Sequence, residues 1–406
     1  MQSKNSRFAS LTWWRASRIR RFLLAGGVLG GVWLILALAT YWGVVRPREH
    51  RFDFYPRWVG ARSVLQGQSP YTEATTRRIQ EGMFHTTLPP TEDQHRFLYA
   101  PFLALLLWPF WKMPFTIAIS LWGGLQLTML LIMPLLWAQL LRWRPSPIQI
   151  ALLEIFSIAI FRYPLNGYLL GQFATWVFFW TLFALWSLHK GHPIWAAGAL
   201  LATLVKPEMA LPVTLLILAV AWREGHLKVV GLWLAGALLL WGWSHWQIGF
   251  WEPAYVAGLR AYRHYARPVW PPALLGWPWS LMVALGILGW AGHWGGTLWR
   301  TRAKHWTLWL FAGAWTVFLL VWPQTGDYTA VVGLPVIWLW LWAHRDTVWG
   351  WVLGLAVCGL PWVFWRVLRP LRWEYLLLPL VLWGVLWVAW RHAQTTPSGA
   401  ERANAP

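Results

Sequence analysis

Six of the fourteen carboxylates in this chain, Glu49, Asp53, Glu73, Glu81, Glu92 and Asp93, fall in one polar stretch, residues 45–97. Acids gathered beside long apolar runs are candidates for general acid or base work, and cations near them for holding an anionic group. Arg57 lies in the same stretch, Lys206 interrupts the apolar stretch 193–222, and Arg263, His264 and Arg267 crowd the segment YRHYARP. A lysine in such a run is costly to bury and needs a cavity or a partner; Glu208 is the competing partner, two residues away. Asn166, Gln172, Gln324 and Asp327 stand at the ends of apolar runs. There they can hydrogen-bond hydroxyl groups or cap helices, and Asp327 is well placed as an N-cap. Glu154 lies inside an apolar segment and needs a partner, for which Arg162 is the nearest choice. Glu92, Asp93 and His95 match no zinc spacing, and the single Cys358 excludes an intrachain disulfide and any multi-thiolate centre. There is no Walker lysine loop, GxGxxG before a helix or GxSxG elbow, so no cofactor and no metal is expected.

The elements that must position these groups are membrane helices. The chain is 58% hydrophobic and 12% charged, half the charged share of an average soluble domain. Apolar runs occupy 22–44, 98–111, 115–141, 147–162, 172–188, 193–205, 208–222, 228–247, 273–298, 306–322, 327–343, 347–365 and 373–391. About 20 apolar residues cross a hydrocarbon core. The net charge of +20 comes from short Lys/Arg clusters between these runs, where they set topology and meet anionic headgroups rather than track nucleic acid. Many of the 41 Trp flank the runs, among them Trp33, Trp42, Trp143, Trp222, Trp306, Trp322, Trp342 and Trp390, as interfacial anchors would.

The basic, acid-free segment 1–21 is expected on the cytoplasmic side, and with it the clusters at 142–144, 189–190, 223–228, 300–304, 344–345 and Arg391. Placing 45–97 outside and 142–144 inside forbids both 98–111 and 115–141 from crossing. The shorter segment, broken by Pro109, is expected to be partial or re-entrant. About 12 transmembrane helices (11–13) then remain, in one domain over 22–391, with a disordered tail over 392–406. The outer connections become 45–97, 163–171, Lys206–Pro207, 248–272, 323–326 and 366–372, so polar residues collect at one face.

An ordered set of short elements runs through these connections: DFY at 53–55, ARSVLQGQSPY at 61–71, FLYAPFLALLLWPF at 97–110, Gly171–Gln172 before a run, and GALLATLVKPEMALP at 198–212. This order resembles glycosyltransferase family 87, polyprenol-phosphate-mannose-dependent mannosyltransferases of the GT-C membrane fold, over roughly residues 20–290. The chain departs from it in having Tyr99-Ala100-Pro101 where the family often has Tyr-Pro-Pro, and in the long charged segment 72–96.

The resemblance implies an all-α polytopic GT-C enzyme in the plasma membrane, acting on the extracytoplasmic side. It would move a hexose, mannose first among candidates, from a polyprenyl-phosphate donor to a lipid-linked or cell-envelope glycan acceptor. Asp53 takes the place of the catalytic base, eight or nine residues past the first run; the competing reading is a solvated acid paired with Arg51 or Arg57. Arg57, Lys206, Arg263, His264 and Arg267 would hold the donor phosphate, and Tyr55, Asn166, Gln172, Gln324 and Asp327 would meet sugar or acceptor. The rivals are a transporter or flippase of lipid-linked saccharides, which would show mid-span charges and repeat symmetry, and an O-antigen ligase or polymerase, which would need a larger late loop than 248–272.

Overall fold

The computed structural model describes residues 23–48, 50–266, 268–323, 326–368 and 372–395. Almost every apolar run forms a helix. In chain order these are α1 (Leu23–Val45), α2 (Phe54–Leu65), α3 (Glu73–Phe84), α4 (Phe115–Leu140), α5 (Pro147–Glu154), α6 (Arg162–Leu170), α7 (Ala174–His189), α8 (Pro193–Ala202), α9 (Pro207–Arg223), α10 (Leu227–Ile248), α11 (Glu252–Ala266), α12 (Trp279–Thr301), α13 (Trp306–Val321), α14 (Leu334–Ala343), α15 (Val348–Leu368) and α16 (Glu374–Thr395). The last helix runs on to Thr395, past the expected tail boundary at 392; residues 396–406 and the basic segment 1–21 lie outside the described residues.

The protein is a multi-pass membrane protein. Among the described residues six helices, α1, α4, α10, α12, α15 and α16, are long and apolar enough to cross a bilayer, or seven if α5 and α6 form one bent span, against the twelve or so crossings expected. The runs at 172–188, 193–205, 306–322 and 327–343 form shorter apolar helices. The segment 98–111 makes no continuous helix; it breaks into two turns, Leu103–Leu106 and Trp108–Lys112, the second carrying Pro109 near its start.

The longest helices lie at the periphery, except α4. Only small shares of α1, α10, α12 and α15 are buried, whereas α4 is mostly buried, and α7 has buried residues around its whole circumference. A helix apolar on every side and enclosed on every side is a core helix. It packs against α4, α8 and α9. On α4, Gly123 and Gly124 lie against α1, where a Cβ at 124 would come 2.6 Å from the backbone nitrogen of Ala37. Small residues allow such close helix approach without an aqueous driving force.

Tryptophan serves the interior as well as the interface. Trp111, Trp122, Trp137, Trp309, Trp315 and Trp338 are fully buried. Trp33, read as an anchor, donates its indole N–H to the Leu121 carbonyl across the α1–α4 contact at 2.8 Å.

Residues 50–97 of the polar stretch form a cap. Helix α2 buries most of its length, and α3 begins at Thr72, whose hydroxyl accepts from the Thr75 N–H at 3.3 Å. The connection after α3 is held by Gln80, which donates to the Gln94 carbonyl at 3.1 Å and accepts from the Leu88 N–H at 3.0 Å. Trp58 and Arg62 donate to the Met113 and Trp111 carbonyls, at 3.1 and 3.2 Å, tying the cap to the bundle.

Candidate functional site

Two breaks in the chain build the site. The first follows α5, which continues as a π turn over Ile155–Ile160 and then bends by 57° into α6. Pro164 explains the bend: in the first turn of α6 its missing N–H costs nothing, whereas its ring would clash with a helix continuing through residue 160. Helix α6 ends at Gly171, in the left-handed conformation at φ +69°. The Gln172 N–H bonds back to the Gly167 carbonyl at 2.8 Å, closing the helix as a Schellman turn does. A Cβ on Gly171 would lie 3.0 Å from both Ile119 and Phe54, so glycine serves the backbone conformation and the close approach together. The second break is Lys206, between the 3₁₀ turn Thr203–Val205 and Pro207 at the first position of α9. Trp176 of α7 donates to the Ala202 carbonyl at the start of that turn, at 2.7 Å.

These breaks bring together residues far apart in sequence. Asp53 stands at the N-cap of α2, yet its side chain caps nothing. Its Oδ2 instead accepts a hydrogen bond from Gln172 Nε2. Gln172 Oε1 accepts in turn from Arg57 Nη2 at 2.6 Å, and Arg57 Nη1 donates to the Gly171 carbonyl at 3.2 Å. The result is a relay, Asp53–Gln172–Arg57, in which the amide fixes a carboxylate and a guanidinium without letting them touch. Among the described residues Asp53 forms no ion pair with Arg51 or Arg57. Its neighbours Phe52 and Phe54 are buried in the cap, while its own side chain remains partly exposed.

Arg57 is only 4% exposed and is sandwiched between the rings of Tyr99 and Phe173, 4.9 and 4.8 Å from their centroids. Burial works against its charge, but Tyr99, Asp53 and Tyr328 outweigh it and hold its pKa above the ordinary value. Lys206 is 7% exposed, and its Nζ lies 4.9 Å from the centre of the Tyr328 ring. It forms no ion pair with Glu208, which is exposed. Both cations therefore face aromatic rings. Tyr99 senses Arg57, Lys206, Tyr328 and Glu208 together, although burial remains the largest influence and pushes its phenol up.

The remaining candidates separate into groups. Asn166 and Asp327 do come together, but with Arg162: Arg162 Nη1 donates to Asp327 Oδ2 at 2.8 Å, and Asn166 Nδ2 donates to Oδ1. Asp327 caps no helix with its side chain, so the N-cap reading is replaced by an interhelical pairing. Arg162 is thereby taken from Glu154, whose Oε2 has no hydrogen-bond partner. Beside Asp327, Tyr163 and Glu374 line a cavity of about 20 Å³, room for a single water. Tyr55 packs into the cap, 8% exposed, stacked on His50 with its hydroxyl against Gly82, and is not brought to the relay. Arg263 and His264 are exposed on α11. The face of α11 turned to the site carries Tyr255 and Tyr262, whose phenols are pushed up first by burial and then by neighbours that include Tyr99. Arg267 and Gln324 lie outside the described residues.

Sequence reasoning missed Tyr328, Phe173, Tyr255 and Tyr262. The spacing Tyr255, Gly258, Tyr262 was the available signal, since i, i+3 and i+7 share a helix face. Gly258 lets that face close, as a Cβ there would come 2.9 Å from Leu98. Among the described residues no three His, Cys, Asp or Glu side chains are grouped to hold a metal ion. No family model, curated protein or solved structure matches this chain.

Proposed function

We propose that the protein is a GT-C-type glycosyltransferase with about twelve crossings and its site on the extracytoplasmic side of the plasma membrane. It transfers a hexose, mannose first, from a polyprenyl-phosphate donor to a lipid-linked or cell-envelope glycan. One observation carries this reading: a partly exposed carboxylate, Asp53, and a buried cation, Arg57, are joined through Gln172 at one end of a membrane bundle, and a second buried cation, Lys206, lies against Tyr328 and shares Tyr99 as a neighbour with Arg57. A carboxylate next to fixed positive charge suits a displacement in which a proton leaves one oxygen while negative charge grows on another. The order of the short elements, similar to family 87, supports the same reading.

In this mechanism Asp53 accepts the proton of the acceptor hydroxyl as that oxygen attacks the anomeric carbon. The bond from that carbon to the phosphate oxygen breaks, and polyprenyl phosphate leaves with the electron pair. Arg57 and Lys206 stabilise the phosphate charge as it develops. Attack opposite the leaving group inverts the anomeric carbon, from a β donor to an α product. Gln172 orients the base through its N–H and positions Arg57 through its carbonyl oxygen, so one amide sets the spacing of base and anion site.

The reading is tested by incubating purified protein with labelled polyprenyl-phosphate-mannose and native lipid extract. Label is expected in a glycolipid or glycan product, and Lys206→Gln is expected to raise the donor KM or lower turnover about tenfold or more, with thermal stability little changed. Full activity in Lys206→Gln would remove that residue from the site. The sidedness has its own measurement. A cysteine at exposed Gln68 is expected to react with a membrane-impermeant thiol reagent from outside intact cells, and one at Ser17 to be protected. The native Cys358 is buried and gives little background. Reversed labelling would move the site to the cytoplasm and favour a nucleotide-sugar donor.

A further inference from the structure

The opposite end of α7 carries a second polar site. A cavity of about 800 Å³ opens there, lined by Arg142, Arg144, Lys304 and Arg345 and by His189 and His305. The four cations come from three separate connections, 141–146, 302–305 and 344–347, that meet at the C-terminal end of α7. One carboxylate, Asp346, lines the cavity; its side chain is 82% exposed and lies 3.8 Å from Arg345, a loose pairing. Trp306 and Trp342 supply aromatic wall.

Topology alone does not account for this arrangement. Orienting a membrane protein requires Lys and Arg near the span ends, but charges kept only for that purpose would spread apart to lower their repulsion. Here they converge on a hollow. Arg142 and His305 stand at helix ends in the left-handed region, at φ +53° and +58°: the Trp143 N–H bonds back to the Ala138 carbonyl at 2.8 Å to close α4, and His305 precedes α13. The local field is visible at His305, whose pKa is lowered to about 4 by burial first, then by Lys304, Arg142 and His189. His189 donates its Nδ1–H to the Leu185 carbonyl, 2.9 Å away, and its Nε2 lies 3.1 Å from the Thr307 hydroxyl.

We infer that this cavity binds a phosphomonoester or diphosphate group attached to an organic body. The cations match a multiply charged phosphate, which accepts several N–H bonds at once. The volume exceeds what a bare phosphate fills and falls in the range of sites for small organic ligands. Two sources share this chemistry, the headgroup of an anionic lipid and a soluble phosphorylated compound, and both are open to measurement.

The protein in phosphatidylcholine nanodiscs, with and without phosphatidic acid, is examined by native mass spectrometry for retained lipid, and inorganic pyrophosphate is titrated calorimetrically into the nanodiscs lacking phosphatidic acid. Retention of phosphatidic acid without pyrophosphate binding assigns the lipid source; saturable pyrophosphate binding assigns the soluble one. In either case the triple variant Arg142→Gln/Arg144→Gln/Lys304→Gln is expected to weaken binding at least tenfold, and Lys228→Gln, a cation outside the cavity, to leave it unchanged. Raising the salt should weaken binding in the wild type. If the triple variant does not yield folded protein, Arg142→Gln and Lys304→Gln separately are each expected to weaken binding at least threefold. Absence of binding of both probes to the wild type overturns the inference, as does binding within twofold of wild type in these variants.

Discussion

Asp53→Asn is expected to lower transfer by about 10²–10⁴-fold, the loss that follows removal of a positioned base, while the protein still inserts and folds. Asparagine keeps the size of the side chain and can still accept from Gln172 Nε2. Asp53 neither caps α2 nor forms an ion pair among the described residues, so no structural charge is left exposed by the change. Initial rates at equal membrane abundance are the measurement. A variant keeping more than about a tenth of the wild-type rate would remove Asp53 from the base position, whatever the identity of the donor.

The second large effect concerns stability. Arg162 and Asp327 lie at 2.8 Å with side chains 9% and 18% exposed. Removing one partner of such a pair strands the other charge, at a cost of about 3–5 kcal/mol. Asp327→Asn and Arg162→Gln are each expected to lower thermal stability strongly in detergent, and Arg162→Met/Asp327→Leu to recover most of it. An Asp327 that served the sugar would behave differently: its loss would leave stability near wild type and change the acceptor KM. Since Asn166 donates to the same carboxylate, Asn166→Ala is expected to follow Asp327 in direction with a smaller effect, as one hydrogen bond to a charged group contributes about 1.5–3 kcal/mol.

Which parts of this were legible follows from the range of each signal. Apolar runs reveal helices because hydrophobicity is local, and the break at Lys206–Pro207 was readable because proline acts on its own backbone. Charge placement showed that 98–111 and 115–141 cannot both cross, and the shorter length and Pro109 of 98–111 singled it out; it forms no continuous helix. Partners were harder. Asp53 and Gln172 are 119 residues apart, and nothing in either neighbourhood names the other. Arg162 was assigned to Glu154, eight residues away, because the sequence shows only proximity along the chain; the fold offered it Asp327, 165 residues away. On α11 the charged Arg263 and His264 stood out, while Tyr262, immediately before them, and Tyr255, two turns earlier on the same face, were overlooked, because a charge is conspicuous in a sequence and a helix face is not. About twelve crossings were expected, whereas among the described residues six helices, or seven with the bent pair, are long and apolar enough to cross; run length does not tell a short interior helix from a lipid-facing span.

That difference has a consequence for the bilayer itself. Helix α7 has 16 residues, about 24 Å at 1.5 Å per residue, shorter than the ~30 Å of hydrocarbon it stands within. The helices long enough to cross unaided have 21 to 26 residues. Because α7 is enclosed by protein on every side, lipid never meets its short length, and the bilayer has no reason to thin around it. Its two ends are met instead by polar side chains, the Gln172 amide before it and the His189 cavity after it, as backbone that stops short of an interface requires.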